Sequence, residues 1–326
     1  MPDTQVPDVQ VPDAQVPDVQ VIGPREVPLG GIRAMTVRRT LPHRDRSFVG
    51  AWCFVDHYGP DHVGSGSGGM DVAPHPHTGL QTVSWLFDGE IEHRDSGGAH
   101  GLVRPGEVNL MTAGAGIAHS EVSTPATRTL HGVQLWVALP ADALGAPRGF
   151  EHWAVPVDEL PGGAGTARVF VGTLPGLGSS PVTVHTPLVG AQLDLVPGAR
   201  MQVPVDPTHE HALLVDRGRV QFEGVSLERG DLGCVEAGAA ELRIVAAGDA
   251  PVRALLLGGA PFEEEIVMWW NFVGRSHEDI ATARADWEAG SARFGVVPGY
   301  AGPVTRIPAP ALPGVRLRPR GRRGRH

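Results

Sequence analysis

Two pairs of metal-ligand residues, each spaced two residues apart, constrain this chain more than any other feature of its sequence. His75 and His77 stand in Pro74-His75-Pro76-His77, and His119 and Glu121 follow a glycine-rich turn about forty residues later. Residues two apart on a β-strand point to the same face, so each pair can direct both side chains into one barrel interior. Two such pairs predict three imidazoles and one carboxylate around one divalent transition-metal ion, with coordination positions left open.

The simpler interpretation of the first pair is a proline-rich loop with surface histidines, and the pair alone does not decide between the two. Pro74 and Pro76 keep the backbone extended and lack N–H donors, which suits a strand end at a barrel mouth. The second pair favours the metal site, because it also follows a turn, Ala113-Gly114-Ala115-Gly116, and lies in the same half of the chain.

The composition favours short strands over long helices. The 326 residues include 44 glycines and 30 prolines but few aromatic residues, a mixture typical of strands joined by tight turns. Apolar runs predict first-half strands at Phe48–His57, Leu80–Phe87, Gly106–Met111, Ile117–Val122 and Leu130–Leu139. Eight further short strands are predicted between residues 183 and 257, the first of them at Thr183–Val184.

This pattern predicts an all-β fold of two tandem jelly-roll barrels with a short C-terminal helix. The helix is expected over residues 277–289, capped by Ser276 and ended by Gly290. The predicted segments are a disordered tail of four five-residue repeats (1–21), a metal-binding barrel (22–150), a second barrel with the closing helix (151–300) and a basic disordered tail (301–326).

The charge distribution argues against nucleic-acid binding by the folded part. All 27 basic residues are arginine, and the formal net charge is −9. Without residues 1–21 and 316–326, the chain has 21 basic and 32 acidic residues, a net charge of −11. Such a core repels phosphates, so no direct DNA binding is predicted for it.

The sequence also bears on compartment and assembly. No apolar run reaches 18 residues, so no membrane-spanning helix is expected. No basic segment followed by an apolar one marks a secretory signal, and Cys53 and Cys234 are far apart. Two isolated thiols fit a reducing compartment, so a cytoplasmic location is expected. A monomer is the default expectation for two barrels that cover their own sheets.

Several long stretches of the sequence resemble the pirin family of bicupins. The matching stretches are Phe54–Pro60, Pro74–Val83, His93–Gly98, Met111–Glu121, Leu257–Phe262 and Trp269–Val273. The resemblance covers about residues 25–297 and implies two cupin barrels, with iron(II) in the N-terminal one. The family's ligand pattern falls on His75, His77, His119 and Glu121. Gln81 departs from the glutamate that pirins often carry, a change expected to alter the surroundings of the ligands.

The resemblance implies two functions of different kinds. One is a dioxygenase of the quercetin 2,3-dioxygenase type, which opens the central ring of a flavonol-like substrate with dioxygen; Glu121 would be both a ligand and the base that removes the substrate's 3-hydroxyl proton. The other is an iron- or redox-dependent regulator that binds a protein partner in transcription or metabolism without turnover. A third alternative is a metal with a purely structural role. The ligand types also admit other divalent transition metals.

The remaining histidines and tryptophans are given structural roles. Aligning the hairpin glycines Gly218 and Gly89 leaves no ligand set in the second half, so His209 and His211 are predicted to be surface or hydrogen-bonding residues. The other predictions are turn stabilisation by His93 and Asp95, structural roles for His57 and Asp56, core burial of His131 and Cys53, and packing by Trp269 and Trp270.

Overall fold

The computed structural model describes residues 17–29, 35–64 and 69–323 and consists of β-strands with one α-helix. The first twelve strands are β1 (Gln20–Ile22), β2 (Arg25–Pro28), β3 (Thr36–Leu41), β4 (Trp52–His62), β5 (Asp71–His77), β6 (Leu80–Asp88), β7 (Ile91–Asp95), β8 (His100–Val103), β9 (Glu107–Thr112), β10 (Ile117–Ser123), β11 (Thr129–Ala138) and β12 (Gly149–Ala154). The others are β13 (Asp158–Glu159), β14 (Gly165–Gly172), β15 (Leu188–Leu195), β16 (Arg200–Pro204), β17 (Glu210–Arg217), β18 (Arg219–Phe222), β19 (Val225–Leu227), β20 (Leu232–Val235), β21 (Glu241–Ala247), β22 (Val252–Gly259), β23 (Val267–Trp269) and β24 (Phe272–Gly274). The helix α1 (His277–Glu288) follows them.

The strands form two barrels whose sheets have the same strand order, apart from one edge strand that is β12 in the first barrel and β1 in the second. In the first barrel, a seven-stranded sheet of order β12-β9-β6-β11-β4-β3-β2 lies against a four-stranded sheet of order β5-β10-β7-β8. In the second, the sheets are β1-β20-β17-β22-β15-β14-β13 and β16-β21-β18-β19. The predicted double barrel with a short C-terminal helix is therefore confirmed.

Strand alternation explains how the barrels are filled and joined. On β6, Val83 and Trp85 belong to the core shared by the two barrels, while Ser84 points into the first barrel and hydrogen-bonds Glu121. Trp85 stacks on Phe170 of the second barrel, with ring centroids 4.8 Å apart and an interplanar angle of 23°. The two seven-stranded sheets thus pack face to face, and each barrel keeps its own interior.

The structure corrects the predicted segment boundaries. β12 pairs with β9, so the first barrel extends to Ala154 and not to residue 150. Gln20 and Val21 belong to the predicted tail, yet with Ile22 they form β1, which pairs with β20 and supplies an edge strand to the second barrel. The predicted strand at Thr183–Val184 does not form.

The C-terminal segment also differs from the expected disordered tail. The Ile307 amide donates to the Pro74 carbonyl at 2.8 Å, and the Ser47 amide donates to the Arg322 carbonyl at 2.8 Å. Arg320 forms a β-bridge with Ile266. Backbone hydrogen bonds therefore hold the described part of this segment, up to residue 323, against the first barrel. Residues 1–16 and 324–326 lie outside the described residues, and disorder there stays a prediction.

The helix begins at the predicted residue and ends at Glu288, one residue before the predicted end. The Ser276 side chain accepts from the Asp279 amide at 3.1 Å, and the Asp279 carboxylate accepts from the Ser276 amide at 2.9 Å. This is a complete capping box. Gly290, with a φ of 67°, follows the last turn in the left-handed conformation that glycine adopts readily. No helix among the described residues is long and apolar enough to cross a membrane.

Candidate metal centre

The four residues predicted as ligands lie on two neighbouring strands of the first barrel and are all buried. β5 supplies His75 and His77, and β10 supplies His119 and Glu121; in the antiparallel register His119 is opposite His75. The register shifts between His119 and Glu121, so that Glu121 faces Val72. This irregularity falls at the proline-containing stretch, where Pro74 has no N–H to give to a regular ladder.

The three histidines converge on one point. Each offers a ring nitrogen, and these atoms lie within 4.8 Å of one another. Nε2 of His77 and Nε2 of His119 are 3.0 Å apart. Two ligand atoms that each lie roughly 2.1 Å from one ion have a separation of about this size. The geometry therefore fits a shared metal ion.

A backbone contact selects the ligand atom of His75. Its Nδ1 is 2.9 Å from the Ala73 carbonyl oxygen, which can only accept a hydrogen bond. Nδ1 must therefore carry the proton, and Nε2 keeps its lone pair for a ligand. Such an outer hydrogen bond is the usual way in which a metal-binding histidine is oriented.

Glu121 belongs to a second group of possible metal ligands, and this group shares His119 with the three-histidine cluster. Ligand atoms of Glu121, His119 and His93 lie within 4.8 Å of one another. The Ser84 hydroxyl lies 3.3 Å from Oε1 of Glu121 and orients the carboxylate. The carboxylate thus lies beside the three-histidine cluster, on its His119 side.

His93 is the site residue that the sequence interpretation assigned wrongly. It lies on β7, not in a turn, and its Nδ1 is 3.3 Å from Nδ1 of His119. Its Nε2 is 3.2 Å from Oδ2 of Asp95. Asp95 does stabilise a turn as predicted, because its Oδ1 accepts from the amides of Gly97 and Ala99. The spacing of His93 and Asp95 equals that of the two pairs of candidate ligands, and this spacing could have indicated that His93 belongs to the site.

Burial determines the protonation of the centre. Burial lowers the pKa of His75 to about 4, and it lowers the pKa of His77 and of His119 well below the usual value of 6.5. Nearby histidines lower the last two further. Burial also raises the pKa of Glu121. Near neutral pH the imidazoles are therefore uncharged and have lone pairs available, the form in which histidine binds a metal.

A cavity of about 470 Å³ opens beside the histidines. Phe54 and Trp136 form one wall; their rings stack with centroids 4.0 Å apart and an interplanar angle of 11°. The Arg39 guanidinium lies 4.2 Å above the Phe54 ring and makes a bidentate ion pair with Asp56, at 2.7 and 2.8 Å. The cavity therefore combines flat apolar walls with a fixed cation.

The C-terminal third of the chain completes this cavity. Met268, Trp270, Asn271 and Ile307 line it, so these residues do more than pack. Trp270 sits in the two-residue turn between β23 and β24 with a φ of 52°, a backbone conformation that is uncommon for a bulky residue. The second half of the sequence therefore contributes to a site whose candidate ligands all lie in the first.

Gln81 lies away from the ligands. Its amide nitrogen donates to Oγ1 of Thr112 and to the carbonyl of Thr183, both at 2.9 Å. Strand alternation turns this side chain to the face opposite Thr82 and Ser84. The expectation that Gln81 alters the surroundings of the ligands is therefore wrong.

A second cluster of ligand-type residues joins the two barrels. Oδ1 of Asp216 is 2.8 Å from Nε2 of His57 and 2.6 Å from Nε2 of His131. The other oxygen of Asp216 accepts from Nε of Arg253 at 2.6 Å. Arg38 is also near His57. Two guanidinium groups oppose a further cation, so the cluster is an ion-pair network, in keeping with the structural roles predicted for His57 and His131.

Family models match both halves of the chain. The model described as Pirin covers residues 33–137, and that described as Pirin C-terminal cupin domain covers residues 190–295. The first match lies within the first barrel and includes every candidate ligand, and the second covers most of the second barrel together with the closing helix α1.

Individual relatives agree with these matches. "Putative quercetin 2,3-dioxygenase PA1205" of Pseudomonas aeruginosa is 42% identical over 290 residues, 89% of each chain. A pirin-like protein of Caulobacter vibrioides is 38% identical over 78% of this chain and 88% of its own. The crystal structure of quercetin 2,3-dioxygenase from Acinetobacter baumannii superposes with a TM-score of 0.84, at 38% identity over 92% of this chain and 97% of that one. With its two barrels and both family matches, this chain belongs to the pirin family.

Proposed function

We propose that this protein is an iron-dependent dioxygenase of the quercetin 2,3-dioxygenase type, with the ion held by His75, His77, His119 and Glu121. The observation that carries the proposal is the convergence of three buried, uncharged imidazoles at the edge of an aromatic-walled cavity. The relatives named as quercetin 2,3-dioxygenases support the choice of substrate class. When bound, iron would supply Lewis acidity toward a substrate oxygen and the redox chemistry that dioxygen requires.

The aromatic wall suits a flat substrate. A flavonol ring can lie along the stacked pair of Phe54 and Trp136, since both rings present extended π-surfaces. Arg39 is held by Asp56 and lines the same cavity, where it can donate to a substrate hydroxyl or carbonyl oxygen. These residues bind and orient the substrate, and the enclosing side chains limit the entry of water.

Glu121 is the candidate base. Burial raises the pKa of its carboxyl group, which brings it closer to the range in which a carboxylate accepts a proton effectively. The Ser84 hydroxyl orients Oε1, so Oε2 is the atom assigned to receive the 3-hydroxyl proton of a flavonol. Glu121 therefore has two proposed roles, as a ligand and as a proton acceptor.

Turnover with quercetin tests the proposal. Protein reconstituted with iron(II) and mixed with quercetin in air is expected to bleach the flavonol absorbance and release carbon monoxide. Glu121→Gln keeps the side-chain shape but removes the base, and we expect kcat to fall by about 10²–10⁴-fold. His119→Ala should abolish turnover, whereas His185→Ala, at an exposed histidine, should leave it unchanged.

The same experiment separates the alternatives. An iron-loaded protein that neither consumes quercetin nor releases carbon monoxide contradicts the enzyme proposal. Capture of a specific protein partner that depends on bound iron would then favour the regulator. If chelation lowers the melting temperature but changes neither turnover nor partner binding, the metal is structural.

A further inference from the structure

The second barrel contains a buried histidine that the proposed function does not use. His211 lies on β17 and is only 1% exposed, contrary to the prediction of a surface or hydrogen-bonding residue. Leu213 and Val215, at alternate positions on the same strand, belong to the core of the second barrel, while Ala212 and Leu214 belong to the core between the barrels. His211 therefore faces the interior of the second barrel.

His211 occupies the position in the second barrel that corresponds to Thr82 of the first, beside the aromatic wall of the first barrel's cavity. On neighbouring strands of the first barrel, Thr82 pairs with Trp136, which pairs with Phe54. The corresponding ladder of the second barrel runs from His211 to Gly258 and on to Val189. The aromatic wall of the first cavity is thus replaced by glycine and valine.

Gly258 makes room for the imidazole. A Cβ atom at this position would lie 2.6 Å from Cδ2 of His211 and 3.0 Å from the Glu210 carbonyl oxygen. Only a residue without a side chain permits the ring to lie where it does. The second barrel is therefore shaped around His211.

Neither ring nitrogen of His211 has a hydrogen-bond partner among the described residues, and neither does Oγ1 of Thr186. Buried polar atoms are nearly always paired, and an unpaired one destabilises the folded state. Both residues line a cavity of about 370 Å³ whose walls include Leu174, Pro187 and Leu188. Two unpaired polar groups in a largely apolar cavity indicate a site for a ligand.

The charge state of His211 limits the ligand chemistry. Burial lowers the pKa of His211 to about 4, so the ring is uncharged near neutral pH and offers one donor and one acceptor. Asp206, which also lines this cavity, lies 3.8 Å from Nε2 of His209. Among the described residues, the groups of three or more metal-ligand side chains do not include His211. An uncharged molecule with a hydroxyl group fits better than an anion or a metal ion.

We propose that the second barrel binds a small, uncharged phenol, with the phenol hydroxyl hydrogen-bonded to the His211 ring and the aromatic ring against the apolar walls. Thr186 provides a further polar contact for a second substituent. This site is separate from the metal centre and does not depend on it.

The test uses phenol and toluene as matched probes. In the full-length protein, titration with phenol should shift the ring-nitrogen NMR signals of His211 in a saturable way. Toluene has the same ring without the hydroxyl, and we expect it to bind the wild type at least about tenfold more weakly than phenol does. We expect the same loss for phenol binding to His211→Leu. His185→Leu, at an exposed histidine, should bind phenol like the wild type.

Two further measurements separate a loss of phenol binding from unfolding of the protein and from the outcome of the dioxygenase proposal. His211→Leu removes two unpaired ring nitrogens, so its melting temperature should not fall and its loss of binding cannot be attributed to unfolding. His119→Ala and the chelator-treated protein should both bind phenol with the wild-type affinity, whether or not the dioxygenase proposal is correct. No saturable shift of His211, equal binding by His211→Leu, or a metal ion found at His211 would overturn the inference.

Discussion

The candidate metal centre depends on what each histidine contacts with its second ring nitrogen. His75 is oriented by a backbone carbonyl, while His119 is oriented by another histidine, His93, which in turn contacts Asp95. If Nε2 of His119 binds the ion, its Nδ1–H donates to His93, and Nε2–H of His93 donates to Asp95. This chain of hydrogen bonds ends on a carboxylate and increases the basicity of the ligand.

Removing His93 should weaken metal binding without changing the ligands. We expect His93→Phe to lower metal affinity by about 10–100-fold, because the orienting partner of His119 is lost. Competition with a chelator of known affinity measures the change. His100→Phe, at an exposed histidine on the adjacent strand, is the control. Equal affinities of the His93 variant and the wild type would contradict this role.

The buried histidines should also make the metal-free protein sensitive to acid. His75 titrates near pH 6.5 in the unfolded chain but has a pKa of about 4 in the folded protein. Between these values the unfolded state binds more protons, so the free energy of unfolding falls as the pH is lowered from about 6.5 to 4. His75 alone would contribute on the order of 3 kcal/mol.

Urea unfolding of chelator-treated protein at several pH values checks this dependence. His75→Leu should show a smaller loss of stability over the same range, because the titrating group is gone. A wild-type free energy of unfolding that stays constant between pH 6.5 and 4 would refute the expected linkage. Because His77 and His119 also titrate below their usual pKa, the wild-type loss should exceed the contribution of His75.

Among the elements, strand alternation and turn chemistry made much of the fold predictable. Local spacing in the sequence predicts the pairs of candidate ligands, the strands β6 and β10 and the capped helix, and the structure retains this spacing. The role of His93 did not follow, because a hairpin signal at Asp88-Gly89 suggested that its neighbourhood was a turn. The cavity walls from Met268, Trp270 and Ile307 depend on contacts distant in sequence, which spacing cannot reveal.

The capping box of α1 offers a test at this scale. Ser276→Ala removes the acceptor for the Asp279 amide and should destabilise the protein by about 1 kcal/mol. Ser276→Asp keeps a side-chain acceptor and should remain close to the wild type. Thermal unfolding measures both variants. Equal melting temperatures of Ser276→Ala and the wild type would show that the cap does not contribute.

The whole molecule is held together by polar contacts that cross the two barrels. Burial raises the pKa of Asp216, but hydrogen bonds from His131 and His57 and the charge of Arg253 outweigh it and keep the pKa below its usual range. Arg46 of the first barrel pairs with buried Glu210 of the second at 3.1 Å. Local spacing could not pair these residues, because the partners lie between 37 and 164 residues apart in the sequence.

Loss of the Asp216 carboxylate should destabilise both barrels together. Asp216→Ala leaves Arg253 without its buried partner, and we expect a loss on the order of 3–5 kcal/mol. Asp249→Ala, at an exposed residue, should change stability little. Chemical unfolding followed by fluorescence gives both values. A loss below about 1 kcal/mol for Asp216→Ala would contradict the importance of this network.

The pairing of β1 with β20 has a consequence for biosynthesis. Gln20–Ile22 leaves the ribosome early, but its partner Leu232–Cys234 is translated about two hundred residues later. β1 therefore stays without its partner strand until β20 of the second barrel has been translated. During co-translational folding, the sheet of the second barrel can therefore gain this edge strand only after residue 234 has been translated, although the strand itself was made long before.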